Sequence, residues 1–255
     1  MDNKYLLSSL ENTLKMIDMM AAEREMGITE LSARMNLGKS TVHRILNTLL
    51  KYDYVKQNEA TGKYSLAFKF VNVANEILQK YDIITVTRDS IERMVDDLEE
   101  NAVLCSYANR QITTIENYPC RAKGRTVLYY TGFACPAYAS SAGRAFISRF
   151  SQEQYEEYVG AAEFKKVTPF TVDSEEGLRT LLEEGRKNGY FQCEQEINEG
   201  VISYSAPIFD GQGKVDAAVT VYGAASQMKA KRDEISRRLM AAAAECTEIN
   251  SRMLL

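Results

Sequence analysis

Apolar residues recur at helical spacing near the start of the chain. Leu7, Leu10, Leu14 and Ile17, with Met16 and Met20 beside them, return every three or four positions and predict an amphipathic helix over 7–20. The charged stretch 21–27 ends in glycine and reads as a loop. Thr29 is then placed to cap a short helix running to Met35, with Ile28, Leu31 and Met35 facing inward. Asn36-Leu37-Gly38 follows as a tight turn. A third helix is predicted over 39–52, with Val42, Ile45, Leu46, Leu49 and Leu50 on the buried face. Ser40, Arg44, Asn47, Thr48 and Lys51 occupy the opposite face, Lys39 and Thr41 lie near the start, and His43 sits on the flank.

A short helix, a three-residue turn and a second helix with a polar outer face make a helix-turn-helix. The outer residues suit a duplex: Arg takes two acceptors on guanine, Asn pairs with adenine, and Ser, Thr and Lys reach phosphates. Segments 54–57 and 63–66 pair as a hairpin across the turn-forming stretch 58–62, the wing of a winged helix. Lys56 and Lys63 on that hairpin would add sequence-blind phosphate contacts.

Beyond the wing, 68–80 is helical in pattern and breaks at Tyr81-Asp82, before a long helix from Ile84 to about Glu100. Strands are expected at 103–108, 111–117 and 126–130, and helices at 141–150, 152–159 and 175–188. Strands return at 190–193, 201–209 and 215–222, and a helix over 230–254 ends the pattern. Strand pairs mixed with helices indicate an α+β fold. The expected organisation is a winged helix-turn-helix DNA-binding domain over 1–67, a helical linker over 68–81, and an effector-binding and oligomerisation domain over 82–255.

Composition narrows the function. The 255 residues carry a net charge of −4, but the first 70 hold ten Lys and Arg against eight Asp and Glu, a net +2, leaving −6 for the rest. Positive charge is thus segregated where nucleic acid would want it. His43 is the sole histidine, which lowers the case for hydrolase or acyl-transfer chemistry; no catalytic residue is assigned. Five cysteines without a CxxC pair fit reduced thiols better than a disulfide framework, and with one histidine a His/Cys zinc site is not expected. No cofactor is expected. The longest uncharged stretch, 126–143, contains Gly132 and Pro136 and makes a poor membrane span, and the polar start does not read as a signal peptide. A cytoplasmic protein follows.

The run 136–143 is small and uncharged and leads into a helix start, where backbone N–H groups with the Ser140 and Ser141 hydroxyls could hold an anion. Ser203 on one predicted strand, and Thr220 and Tyr222 on another, alternate with apolar neighbours and could share a face. Two other classes stay open on the residues alone: an enzyme using Glu194, Glu196 and Glu199, which lie in a charged loop and read as solvated, and a winged helix that binds protein.

Three blocks in order resemble the IclR family of bacterial regulators. The first is ITELSARMNLGKSTVHRILNTLLKYDYVKQNEATGKYSLAFKF over 28–70, with Lys39-Ser40-Thr41-Val42-His43-Arg44 and Gly62-x-Tyr64-x-Leu66 its sharpest parts. The second is SSAGRAF over 140–146, and the third is GYFQCEQEINEGVISYSAPIFDGQGKVDAAVTVYG over 189–223. The chain departs from the family at Asp53, where glycine is common and a left-handed C-cap is still tolerated, and at Asn12, where arginine is common and no phosphate contact is assigned. At Arg144 it keeps the charge of the usual lysine. The resemblance implies a GAF-like mixed α/β effector domain, homodimers or dimers of dimers on double-stranded operator DNA, and an effector that is an organic acid, so a carboxylate. It also implies pocket walls from Val127, Tyr129, Cys135, Ser141, Ala142, Cys193, Ser203, Ala218, Thr220 and Tyr222.

Overall fold

The computed structural model describes residues 6–79, 82–121 and 128–252. By internal contacts the chain divides into two compact units, Met1–Lys80 and Tyr81–Leu255.

The first unit holds α1 (Ser8–Ala21), α2 (Ile28–Met35), α3 (Lys39–Lys51), the hairpin strands β1 (Val55–Gln57) and β2 (Tyr64–Leu66), and α4 (Lys69–Leu78). Its core is a cluster of Met16, Met20, Met26, Leu31, Val42, Leu46, Leu49, Val55 and Tyr64 with their neighbours. The stripe expected on α1 is rotated: Met16 and Met20 are buried, while Leu7, Leu10 and Leu14 are 71%, 55% and 55% exposed. Met16 and Met20, on the later turns, are the residues of α1 that join the buried cluster with Leu31, Val42 and Tyr64. Leu50 also stays at the surface, leaving Val42, Ile45, Leu46 and Leu49 to hold α3. Gly27, not Thr29, begins α2: its extended backbone sits at the N-cap and its carbonyl accepts the Leu31 N–H at 3.0 Å, so Thr29 already lies inside the first turn. No residue of α4 is buried; Phe68, Val71 and Ile77 are exposed, although Phe70 meets the Tyr54 ring edge-on at 4.9 Å.

Among the described residues of the second unit, six antiparallel strands lie in the order β5-β4-β3-β8-β7-β6. They are β3 (Asn101–Ala108), β4 (Gln111–Tyr118), β5 (Ala134–Pro136), β6 (Phe191–Glu194), β7 (Val201–Phe209) and β8 (Val215–Ala224). Helices α5 (Asp82–Leu98) and α10 (Arg232–Arg252) pack on each other and on the sheet. Helices α6 (Ser141–Ile147) and α8 (Glu175–Asn188) cover the face that carries Val103, Cys105, Ala218 and Tyr222. Helix α7 (Gln152–Gly160) follows α6, and α9 (Ala225–Ala230) follows β8. This is the expected α+β arrangement, here an antiparallel sheet flanked by helices.

Two elements differ from expectation. Of the strand predicted over 126–130, positions 126 and 127 lie outside the described residues, and Leu128–Tyr130 is not strand. Gly132, at φ 90°, first turns the chain, its N–H bonding to the Thr114 carbonyl, and the strand forms only at Ala134 opposite Thr113. The last predicted helix is interrupted at Lys231, so that α9 starts five residues earlier than expected and α10 follows.

One buried charge organises the second unit. The Arg144 side chain, on α6, is fully buried. It donates to the Tyr138 carbonyl (3.2 Å), the Gln192 carbonyl (2.5 Å) and Glu196 Oε2 (2.5 Å). The Val172 N–H donates to the same carboxylate oxygen at 3.1 Å, and the Thr171 hydroxyl to the Glu196 carbonyl at 2.7 Å. Glu196 is therefore not the solvated loop residue expected from sequence. Removing one member of a buried pair strands the other charge. Glu196→Ala should lower unfolding stability by about 3–5 kcal/mol, read from urea melts, with Glu196→Gln costing less because its amide can still accept from Arg144.

Candidate DNA-reading surface and effector cavity

Asn36, at φ 52°, ends α2 in the left-handed conformation, and the Ser32 hydroxyl closes the turn by donating to the Leu37 carbonyl at 2.6 Å. This directs α3 outward. All ten residues proposed from sequence to meet DNA are exposed: Lys39, Ser40, Thr41, His43, Arg44, Asn47, Thr48 and Lys51 on α3, and Lys56 and Lys63 beside it on the hairpin. Within the stripe, Asn47 Nδ2 lies 3.3 Å from His43 Nδ1, and the Thr48 hydroxyl donates to the Arg44 carbonyl at 2.8 Å. Arg44 forms no ion pair among the described residues, so its guanidinium fork is free for an outside acceptor. Asp53 takes the left-handed position after α3, at φ 62°.

The wing loop is held from both sides. Asn58 Oδ1 accepts the Ala60 and Thr61 N–H groups, and Gly62, at φ 67°, closes the turn onto the Asn58 carbonyl. Glu25 accepts from Asn58 Nδ2 at 2.9 Å and from the Thr61 hydroxyl at 3.3 Å, and the Asn58 amide is the main cause holding its carboxyl below the usual range.

In the second unit a small cavity of about 30 Å³ lies between α6 and the sheet. Of the residues expected to wall it, Tyr129, Cys135, Ser140, Ser141, Ala142, Ser203 and Thr220 do so. Cys193, Ala218 and Tyr222 are buried beside it rather than on its wall. The Cys193 thiol donates to the Ala139 carbonyl, Ala218 pairs opposite Cys105, and the Tyr222 ring lies 4.6 Å from that of Tyr129. Val127 lies outside the described residues.

Four hydroxyls form a chain along one side. Ser141 and Ser203 share a hydrogen bond at 2.7 Å, Ser205 donates to Ser141 at 2.8 Å, and Ser205 and Thr220 share one at 2.7 Å. Ser205 was missed from sequence, although strand alternation places it two residues on from Ser203 and on the same face. Cys105, Thr114, Phe133 and Ile197 also line the space without having been named. Among the described residues no Lys or Arg lines it. The Tyr129 hydroxyl accepts from Asn198 Nδ2 at 3.3 Å, next to Ile197 on the loop that Glu196 anchors. Burial pushes the Cys105 and Cys135 thiols up to about 12.

The start of α6 is partly committed. The Ser140 hydroxyl accepts the Gly143 N–H at 3.0 Å, satisfying one of the donors that an anion would use. Gly143 itself is required: a Cβ there would stand 2.0 Å from the Ala137 carbonyl oxygen, in the 3-10 turn Ala137–Ala139.

An outward polar helix in a winged fold, together with a hydroxyl-lined cavity in a second unit of the same chain, defines a DNA-binding transcription regulator with a small-molecule effector domain. The family pattern described as the IclR helix-turn-helix domain matches residues 9–59, and that described as "Bacterial transcriptional regulator IclR C-terminal" matches residues 75–248. The chain belongs to the IclR family of bacterial transcriptional regulators. The HTH-type transcriptional regulator KdgR of Dickeya chrysanthemi is 28% identical over 226 residues, 84% of this chain and 70% of that protein. The transcriptional repressor IclR of Escherichia coli (strain K12) is 25% identical over 245 residues, 94% of this chain and 89% of that one. An IclR-type regulator from Alicyclobacillus acidocaldarius shares the fold at a TM-score of 0.81 and 21% identity, over 97% of this chain and all of that one. So does an IclR homolog from Microbacterium hydrocarbonoxydans complexed with 4-hydroxybenzoate, at 0.77 and 19%, over 95% and 97%.

Gly143→Ala should unfold the effector unit or cost it well over ~3 kcal/mol, since the clash is with backbone that cannot swing aside. Separate thermal transitions for the two units would show the loss confined to the second. In the native protein at pH 8, Cys105 should resist iodoacetamide until denaturant is added, because burial disfavours the thiolate. Mass mapping of the labelled peptides checks this.

Proposed function

We propose that residues 1–67 read an operator through the α3 stripe centred on Arg44, that 68–81 link, and that 82–255 bind the effector and assemble the protein. The observation that carries this reading is the exposure of all ten polar and cationic side chains, eight on α3 and two on the hairpin. Arg44 and Asn47 make the base contacts; Lys39, Ser40, Thr41, His43, Thr48 and Lys51, with Lys56 and Lys63 on the wing, surround them and meet phosphates. Reading two half-sites one helical turn apart, roughly 34 Å, requires at least a homodimer. The exposed Leu7, Leu10 and Leu14 on α1, and Val71 and Ile77 on α4, supply apolar surface for such an assembly. The protein acts where its operator is, in the bacterial cytoplasm.

The effector is a small organic acid with a single carboxylate. Ser141, Ser203 and Thr220 offer hydroxyl donors for the carboxylate, and Tyr129 and Phe133 offer ring faces for the body of the ligand. Such a ligand is larger than the present space, so binding requires the Ile197–Asn198 loop and Tyr129 to part. A ligand that prefers one arrangement of the effector units shifts the spacing of the reading helices. Coupling of about 1–3 kcal/mol is the usual scale, and DNA then alters effector affinity by the same factor.

Arg44→Ala should weaken binding to an operator selected from genomic DNA by about 10- to 150-fold, measured by fluorescence anisotropy, while the affinity for 4-hydroxybenzoate in calorimetry stays unchanged. Equal affinity of the variant and the wild type for that operator would remove Arg44 from the reading surface. Ala142→Leu should abolish the calorimetric signal and leave operator binding intact. Lys56→Ala should weaken all duplexes alike and make the salt dependence shallower by about one unit of slope.

A further inference from the structure

A cleft larger than the effector cavity also opens in the second unit. It measures about 650 Å³ and opens between the β3–β4 turn, the end of α6, α7 and the β7–β8 turn. That volume lies within the range of small-molecule sites. We propose that this cleft is a second ligand site, separate from the hydroxyl-lined cavity, for an aromatic ring carrying one anionic group.

The ring selectivity comes from a cluster of aromatic side chains along the cleft. Tyr107 stacks on Phe146 with centroids 5.6 Å apart and meets Phe150 edge-on at 5.4 Å, and Phe150 meets Tyr158 at 6.1 Å. A planar guest extends such a herringbone by offset or edge contacts.

The charge selectivity comes from what is already committed. Arg110, Arg149 and Lys214 line the cleft, and none forms an ion pair among the described residues; Arg149 lies over the Phe209 ring at 5.3 Å. Three carboxylates also line it. Asp210 Oδ1 accepts the Gln212 and Lys214 N–H groups at 2.8 and 2.9 Å, and Asp216 accepts Asn250 Nδ2 at 3.0 Å. Only Glu157 lacks an internal hydrogen bond, against three cations without a carboxylate partner.

Two further observations fix the geometry. Asn109 and Arg110, at φ 51° and 65°, form a tight left-handed turn, and the Arg110 carbonyl accepts the Ala137 N–H at 3.1 Å, so the base of the Arg110 side chain is held in place. Tyr158 is buried, and it lines the cleft together with Tyr107 and Arg110, so the cation and the rings face one space.

The test uses the full-length protein and naphthalene-2-sulfonate, with Ala142→Leu in the effector cavity to report any binding of the probe there. Calorimetric titration should show saturable binding to the wild type. The double charge reversal Arg149→Glu, Lys214→Glu, at two exposed positions, should weaken it at least tenfold, whereas Ala142→Leu should leave it unchanged. The same double variant should bind 4-hydroxybenzoate and operator as the wild type does, which separates this site from the effector reading. Absence of binding to the wild type, equal affinity in the charge-reversed variant, or loss of binding in Ala142→Leu would each overturn the proposal. So would dissociation of the assembly by the charge reversal in sedimentation velocity, since the cleft would then be a subunit interface.

Discussion

A guanidinium removed entirely from water is tolerated only if every direction in which it donates is answered. Arg144 meets that demand with two backbone carbonyls and a carboxylate. The partners come from three separate stretches of chain: the turn before α6, strand β6, and the loop after β6. The same carboxylate is held by the Val172 N–H, so a fourth stretch is drawn in. Around this point the cavity takes its form. Ser141 and Ala142 lie just before Arg144 on α6, and Ile197 and Asn198 just after Glu196. The buried Arg144–Glu196 pair thus ties together two of the chain segments that wall the candidate cavity.

Much of the fold was legible because it follows from periodicity. The 3.6-residue pattern of Val42, Ile45, Leu46 and Leu49 located α3, and a helix with one buried face leaves its opposite face outward. Where periodicity misled, the cause was tertiary. Leu7, Leu10 and Leu14 repeat as a core stripe would, yet nothing within the unit covers the early turns of α1. Residues 128–130 look like strand, yet Gly132 must turn the chain before it can join β4.

The cavity was half legible. Its strand residues follow from alternation, which would also have supplied Ser205 and Cys105 had it been extended along β7 and β3. The Arg144–Glu196 pair was not legible, because two charged residues 52 positions apart carry no local sign of meeting. A glutamate in a run of polar residues looks solvated until the fold delivers its cation. The two candidate surfaces also differ in kind. The α3 stripe lies open at the surface, whereas the candidate cavity is small and walled largely by buried side chains.

Helix α1 enters the core of the first unit through two methionines, Met16 and Met20, which share one buried cluster with Met26. Thioether side chains are unbranched and polarizable, and they refit to a shifted neighbour with little loss of contact. Helix α1 is therefore held by adaptable side chains rather than by an interlocked seam of branched ones. The same chemistry exposes it to oxidants: a sulfoxide at any of the three would set a polar group into that cluster and loosen the attachment of the first helix.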